Sequence, residues 1–123
     1  MGVYYSSVAG YGVVFSQDEI VKFVKGKNIY VEFDSEDYFD HWECAEAVSR
    51  EYSLNFFYAG NSMTGDGLCF LFGVGRRMDE YSNDDAFMFN KIETPSRKED
   101  YAIQALSEHS GKEPGFYAGM HVG

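Results

Sequence analysis

The chain has 123 residues, 45% of them hydrophobic and 18% aromatic, which suits one domain around one core and argues against disorder. Twenty Asp and Glu against ten Lys and Arg leave a net charge of −10. That balance argues against direct contact with nucleic acid or an anionic membrane and favours basic partners, unless the acids serve only solubility.

In chain order, Val3 to Phe15 alternates Val3, Tyr5, Ser7, Ala9, Tyr11, Val13 and Phe15 with smaller residues that include Gly10 and Gly12. This predicts a strand with a bulge or with something packed close to its backbone. The opening lacks the basic segment and long apolar run of a signal peptide. Met1, Gly2 and Ser6 match a myristoylation pattern, but a strand and the lack of a basic patch oppose lipid anchoring. Ser16 and Glu19 have capping-box spacing and open a short helix at about 17–25, with Ile20, Val21, Phe23 and Val24 apolar and Gly26 as its stop. Asn28 to Phe33 alternates Ile29, Val31 and Phe33 and reads as a strand.

The segment from Glu36 to Glu51 sets six carboxylates, Glu36, Asp37, Asp40, Glu43, Glu46 and Glu51, against the single base Arg50. At ~100° per residue, Tyr38, Trp42, Ala45, Val48 and Tyr52 share one face of a helix over about 36–52, with the acids on the other and Asp34 or Ser35 as cap. Leu54 to Tyr58 and Leu68 to Val74 are apolar runs expected at the centre of a sheet, joined by a glycine-rich loop. Asp79 to Asp85 reads as an acidic loop, and Phe87, Met88, Phe89 and Ile92 as an apolar patch. Ser96 to Glu108 is a second strong helix ending at Gly111, and Phe116 to Val122 a closing strand. Together these predict a single α+β domain over 1–123, with a mixed or antiparallel sheet of four to six strands and three helices, at about 17–25, 36–52 and 96–109, on one face.

The tags Glu-Asp-Tyr and Phe-Tyr-Ala-Gly occur twice in the same order, at 36–38 and 57–60 and again at 99–101 and 116–119. They suggest duplicated helix-to-strand units, with chance as the competing account.

Catalytic motifs are absent. His41, His109 and His121 show no metal-binding spacing, Cys44 and Cys69 lack CxxC spacing, and Cys69 lies among Leu68, Phe70 and Leu71, where a thiol is inert. The loop 60–67 lacks the Lys and hydroxyl of a phosphate-binding loop, and Asp66 would repel phosphate. No enzyme activity, cofactor or metal is therefore expected, and buried thiols fit a cytoplasmic protein.

Two binding readings remain. In the first, Glu36, Asp37, Asp40, Glu43 and Glu46 meet a basic protein or nucleoprotein complex; the alternative is that they form an ordinary solvated face. In the second, a planar ligand such as a nucleotide signal stacks near Tyr11, Tyr58 and Tyr117, with Arg76, Arg77 or Arg97 for its phosphate. Arg76, Arg77, Arg97 and Lys98 could form a small cationic pocket or serve only as surface charges. Tyr, Phe and Trp total 22 residues, more than one core uses, so exposed aromatics and a possible homodimer along an edge strand or the 87–92 patch are expected.

In size, acidity, aromatic richness and its opening GVYYSSVAGYGVVF, the chain resembles the small acidic accessory proteins of tailed phages, among them anti-CRISPR, anti-restriction and other anti-defence inhibitors. The resemblance implies a stoichiometric inhibitor that acts in the host cytoplasm, either filling a nucleic-acid channel with carboxylates or sequestering a nucleotide signal. It carries over no functional residue.

Overall fold

The computed structural model of the chain describes residues 5–31, 41–61, 64–79, 89 and 91–122. The elements run β1 (Tyr5–Ser16), α1 (Gln17–Gly26), α2 (His41–Tyr52), β2 (Asn55–Asn61), β3 (Cys69–Asp79), α3 (Arg97–Ser110) and β4 (Gly115–Val122). The expected α+β domain with three helices and a mixed sheet is what forms.

The long antiparallel pair β1–β3 lies at the centre, with β2 beside β3 and β4 beside β1. Connectivity and strand order are those of the split βαβ, ferredoxin-like arrangement, with one extra helix in the first crossover. The sheet curls until β2 and β4 meet, and a two-residue parallel ladder, Gly60 to His121 and Asn61 to Val122, closes it into a barrel. The run expected at the centre over 54–58 therefore flanks β3, and β1 takes the inner position.

Glycines permit the close packing of the central pair. Gly10 stands opposite Gly75, and Gly12 opposite Gly73. A Cβ on Gly12 would overlap the Phe72 carbonyl, and one on Gly10 the Val74 carbonyl. The small residues alternating through β1 are thus where the β3 backbone presses in.

One face of β1, β2 and β3 carries the core. Val13 pairs with Phe72, Phe15 with Phe70, and Phe56 with Phe72. Helices α1, α2 and α3 cover that face with Ile20 and Val24, with Cys44, Ala45 and Val48, and with Ile103 and Leu106. Apolar positions three and four residues apart build these helix stripes. Trp42 and Tyr52 pack at the margin of the core, as expected for α2.

Local signals set the helix ends. Both capping boxes form, Ser16 with Glu19 and Ser96 with Glu99, and Gly111 ends α3 in the left-handed conformation at φ 72°. Asn28 to Val31 forms no strand. Asn28 turns the chain at φ 52°, the Ile29 N–H donates to the Val24 carbonyl, and Ile29 and Val31 reach the core from a coil. Residues 32 and 33, the expected helix start at 34–40, the acidic loop over 80–85, and Phe87 and Met88 lie outside the described residues.

Glu19 also binds Lys112, Oε2 to Nζ at 2.6 Å, which ties α1 to the segment after α3. Its carboxyl is held below the usual range, first by that Lys112 bond and then by the Ser16 N–H. A lowered folded pKa means stability that is present above the unfolded value of 4.5 and lost as pH falls through the folded one. Glu19→Gln is expected to cost ~0.5–1 kcal/mol at neutral pH, a value kept low because the side chain is half exposed. Urea titrations at pH 7 and pH 3 check this: the gap from the parent protein should close at pH 3.

Candidate functional site

Arg77 lies on β3 opposite Val8 of β1, and Ser6 of β1 lies opposite His121 of β4. Their side chains converge where the curled sheet closes. Arg77 Nε donates to Ser6 Oγ at 3.1 Å, one terminal nitrogen to Tyr58 Oη at 2.5 Å, and the other to His121 Nδ1 at 2.9 Å. Arginine stays charged and has no acceptor, so Nδ1 accepts and the imidazole is neutral with its proton on Nε2. Ser6 and His121 are buried, at 2% and 3% exposure. A rigid fork donating to three fixed acceptors is a role for which arginine is suited and lysine is not.

Aromatic rings frame this cluster. The Arg77 guanidinium lies 4.7 Å from the Tyr58 ring centre, and His121 meets that ring edge-on, also at 4.7 Å. Trp42 of α2 meets Tyr58 edge-on at 4.7 Å and Phe70 at 5.2 Å. The cluster is thereby linked to the helix that carries Glu43 and Glu46.

Beside Tyr58, between β2 and β4, lies a half-open pocket of about 110 Å³, lined by Val8, Phe57, Tyr58, Cys69, Leu71 and Tyr117 among others. Its apolar walls suit a short apolar group, since it is smaller than the dry cavity of ~150 Å³ that holds benzene. A whole nucleotide needs the ~300–1,000 Å³ of ordinary ligand pockets. A wider and more open groove of about 380 Å³ lies between α1 and the end of α3, with Lys22, Lys27 and Lys112 around Phe15 and Phe23.

Cys69 lines the cavity, and burial raises its thiol pKa. Cys44 is fully buried in the core. Both thiols are therefore expected to react slowly with an aromatic disulfide reagent at pH 8 in the native protein, Cys44 not detectably, and both at once in denaturant. Thiol counting against time checks this; prompt native labelling of either would contradict the burial.

Of the residues expected to bind a planar ligand, Tyr58 is bonded to Arg77 and shares the lining of the pocket with Tyr117. Tyr11 packs against Phe116, ring centres 4.8 Å apart. Arg76 and Arg77 point to opposite faces, as neighbours on a strand must, and Arg76 and Arg97 are exposed. The four basic residues consequently do not form one pocket. On α2, Glu46 is exposed, whereas Glu43 is half-buried with Oε2 buried. Glu36, Asp37 and Asp40 lie outside the described residues.

The histidines separate. His41 opens α2 near Phe70, His109 Nδ1 lies 2.7 Å from Tyr52 Oη, and His121 belongs to the Arg77 cluster. Among the described residues no three His, Cys, Asp or Glu gather closely enough to hold a metal ion. The sequence reading did not join Ser6 or His121 to Arg77, because only strand register brings together residues 115 positions apart. The two Phe-Tyr-Ala-Gly tags occupy related places on the strands flanking β1–β3: Tyr58 pairs with Phe70 and Tyr117 with Gly10.

Comparison with protein families, with curated protein sequences and with solved structures finds no match. Among the described residues no helix is long and apolar enough to cross a membrane.

Proposed function

We propose that the chain is a non-enzymatic interaction protein whose carboxylates occupy a basic surface that ordinarily grips nucleic acid. One observation carries this reading: residues 32–46 and 79–85 hold eleven of the twenty carboxylates and neither Lys nor Arg. The first run ends on α2, whose opposite face is anchored in the core, so Glu46 is offered from a rigid support. Carboxylates so placed compete with phosphates for Arg and Lys of a partner. The resemblance to phage anti-defence proteins suggests a host defence complex as that partner.

The test immobilises the chain, passes over it the heparin-retained fraction of a host lysate, and challenges bound protein with DNA or RNA. Reversing Glu36, Asp40 and Glu46 to Lys should abolish retention and flatten its salt dependence. Glu43 is left intact because its buried Oε2 makes it a structural residue as well. Unchanged retention by the triple variant would overturn the proposal.

A second reading draws support from Tyr58, which bonds Arg77 and lines one pocket with Tyr117. The pocket takes only a short apolar group, and a nucleotide would have to stack at its mouth with the phosphate outside. A thermal-shift panel of mononucleotides, cyclic nucleotides and NAD-derived products separates the two readings, and no shift with any of them removes this one.

A further inference from the structure

Alternate residues of β1 put Tyr5, Ser7, Ala9 and Tyr11 on the same face as Val13 and Phe15. Strand register widens that face into rows: Ser7 stands between Met78 and Met120, Ala9 between Arg76 and Ala118, and Tyr11 between Val74 and Phe116. The helices bury it at Val13 and Phe15 but leave its other end open, with Phe116 74% exposed, Met120 54% and Tyr5 47%. Tyr117 and Gly119 point the other way, toward β2 and the pocket, so the edge of β4 is closed while its outer face is bare. A contiguous apolar face of this kind marks a contact surface.

From this we infer that the outer face of β1 and β4 packs on the same face of a second copy, sheet against sheet, across a two-fold axis along the row of Ala9 and Ala118. The rows are self-complementary in that arrangement. Ala118 lies over its own counterpart, Phe116 over Met120, and Tyr11 over Ser7. The two alanines leave a trough, and each ring faces a thioether or a small side chain, so the faces can interdigitate. Arg76, at the β3 end of the alanine row, is exposed and reaches water from the rim. An isologous contact of this kind closes on itself and adds no third copy.

Charge selects the same place. Two chains of net charge −10 repel, yet neither β1 nor β4 contains an Asp, Glu, Lys or Arg. Packing through these strands therefore brings no acid against another. The open parts of Tyr5, Phe116, Ala118 and Met120, with the margins of the half-buried residues between them, amount to roughly 500 Å² per copy, against the ~800 Å² each partner gives a standard stable interface. A dimer that forms at micromolar concentration and dissociates on dilution is the form such an area supports.

Sedimentation velocity from 1 to 100 µM on the parent protein, on a Phe116→Glu, Met120→Glu variant and on Tyr101→Glu tests the inference. The parent should convert from monomer to dimer across that range. The double variant should stay monomeric with an unchanged circular dichroism spectrum, whereas Tyr101→Glu, changed at an exposed ring on α3, should dimerise like the parent. In parallel, Ala118→Cys should be cross-linked between copies by a short bismaleimide that spans the ~10 Å between packed sheets, and Tyr101→Cys should not. A parent that stays monomeric at 100 µM overturns the inference. So does a dimer that survives both glutamates or cross-links equally through position 101. These readouts involve no basic partner, so their failure is distinguishable from failure of the proposed function.

Discussion

Gly12→Ala is expected to lose at least ~3 kcal/mol of stability, a large share of the ~5–15 kcal/mol of a typical domain. The added methyl would overlap the Phe72 carbonyl oxygen, with the carbonyl carbon 2.7 Å away and the Gly73 Cα at 3.0 Å. All three are backbone atoms of the neighbouring strand, so no rotamer change relieves the clash. The strands must separate, and the Val13–Phe72 and Phe15–Phe70 pairs beside the clash separate with them. Gly26→Ala is the control: a Cβ there meets nothing within 4 Å. Because Gly26 ends α1, that substitution is expected to be neutral or to stabilise by up to ~1 kcal/mol. Urea denaturation followed by circular dichroism checks both; equal midpoints for the two variants would mean that the close approach of β1 and β3 is not needed.

Arg77→Met is expected to cost at least ~2–4 kcal/mol, because it removes three donated bonds and leaves Ser6 and His121 buried without them. The apolar stem is kept, so the loss reports the guanidinium. Arg77→Lys should recover little, since one ammonium cannot reach three acceptors spread around a fork. Trp42, the sole tryptophan, lies edge-on to Tyr58, so its emission should change when Tyr58 is released. Denaturant titrations read by fluorescence give both quantities. Full recovery with Lys would show that charge, and not forked geometry, is what the site requires.

Features written in neighbouring residues were legible in the sequence. Ser16 with Glu19, and Gly111 after the last turn of α3, are local rules of backbone satisfaction and need nothing from the rest of the chain. The stripe of Trp42, Ala45 and Val48 follows from helix period in the same way. Asn28 to Val31 misled because alternation alone does not show whether a neighbouring strand exists; Asn28 turns the segment off the end of α1 instead. The Arg77 cluster was half visible. Arg77 and Tyr58 stood out by type, whereas their meeting depends on how far the sheet curls, a property shared among glycines on two strands. Nothing local to Ser6 or His121 pointed to this role.

The pairing of Tyr5 with Val122 bears on the order in which the protein can be made. A ribosome releases β1 first and β4 last, so β1, β2 and β3 are complete before β4 can pair with β1. Until then the outer edge of β1 is bare and Ser6 lacks its histidine neighbour. Contacts that span almost the whole sequence also make for slow closure, because a long loop must be brought together before any bond rewards it. Ribosome-bound chains arrested before residue 115 should therefore be open to proteases along β1, and protection should appear only as Phe116 to Val122 emerges.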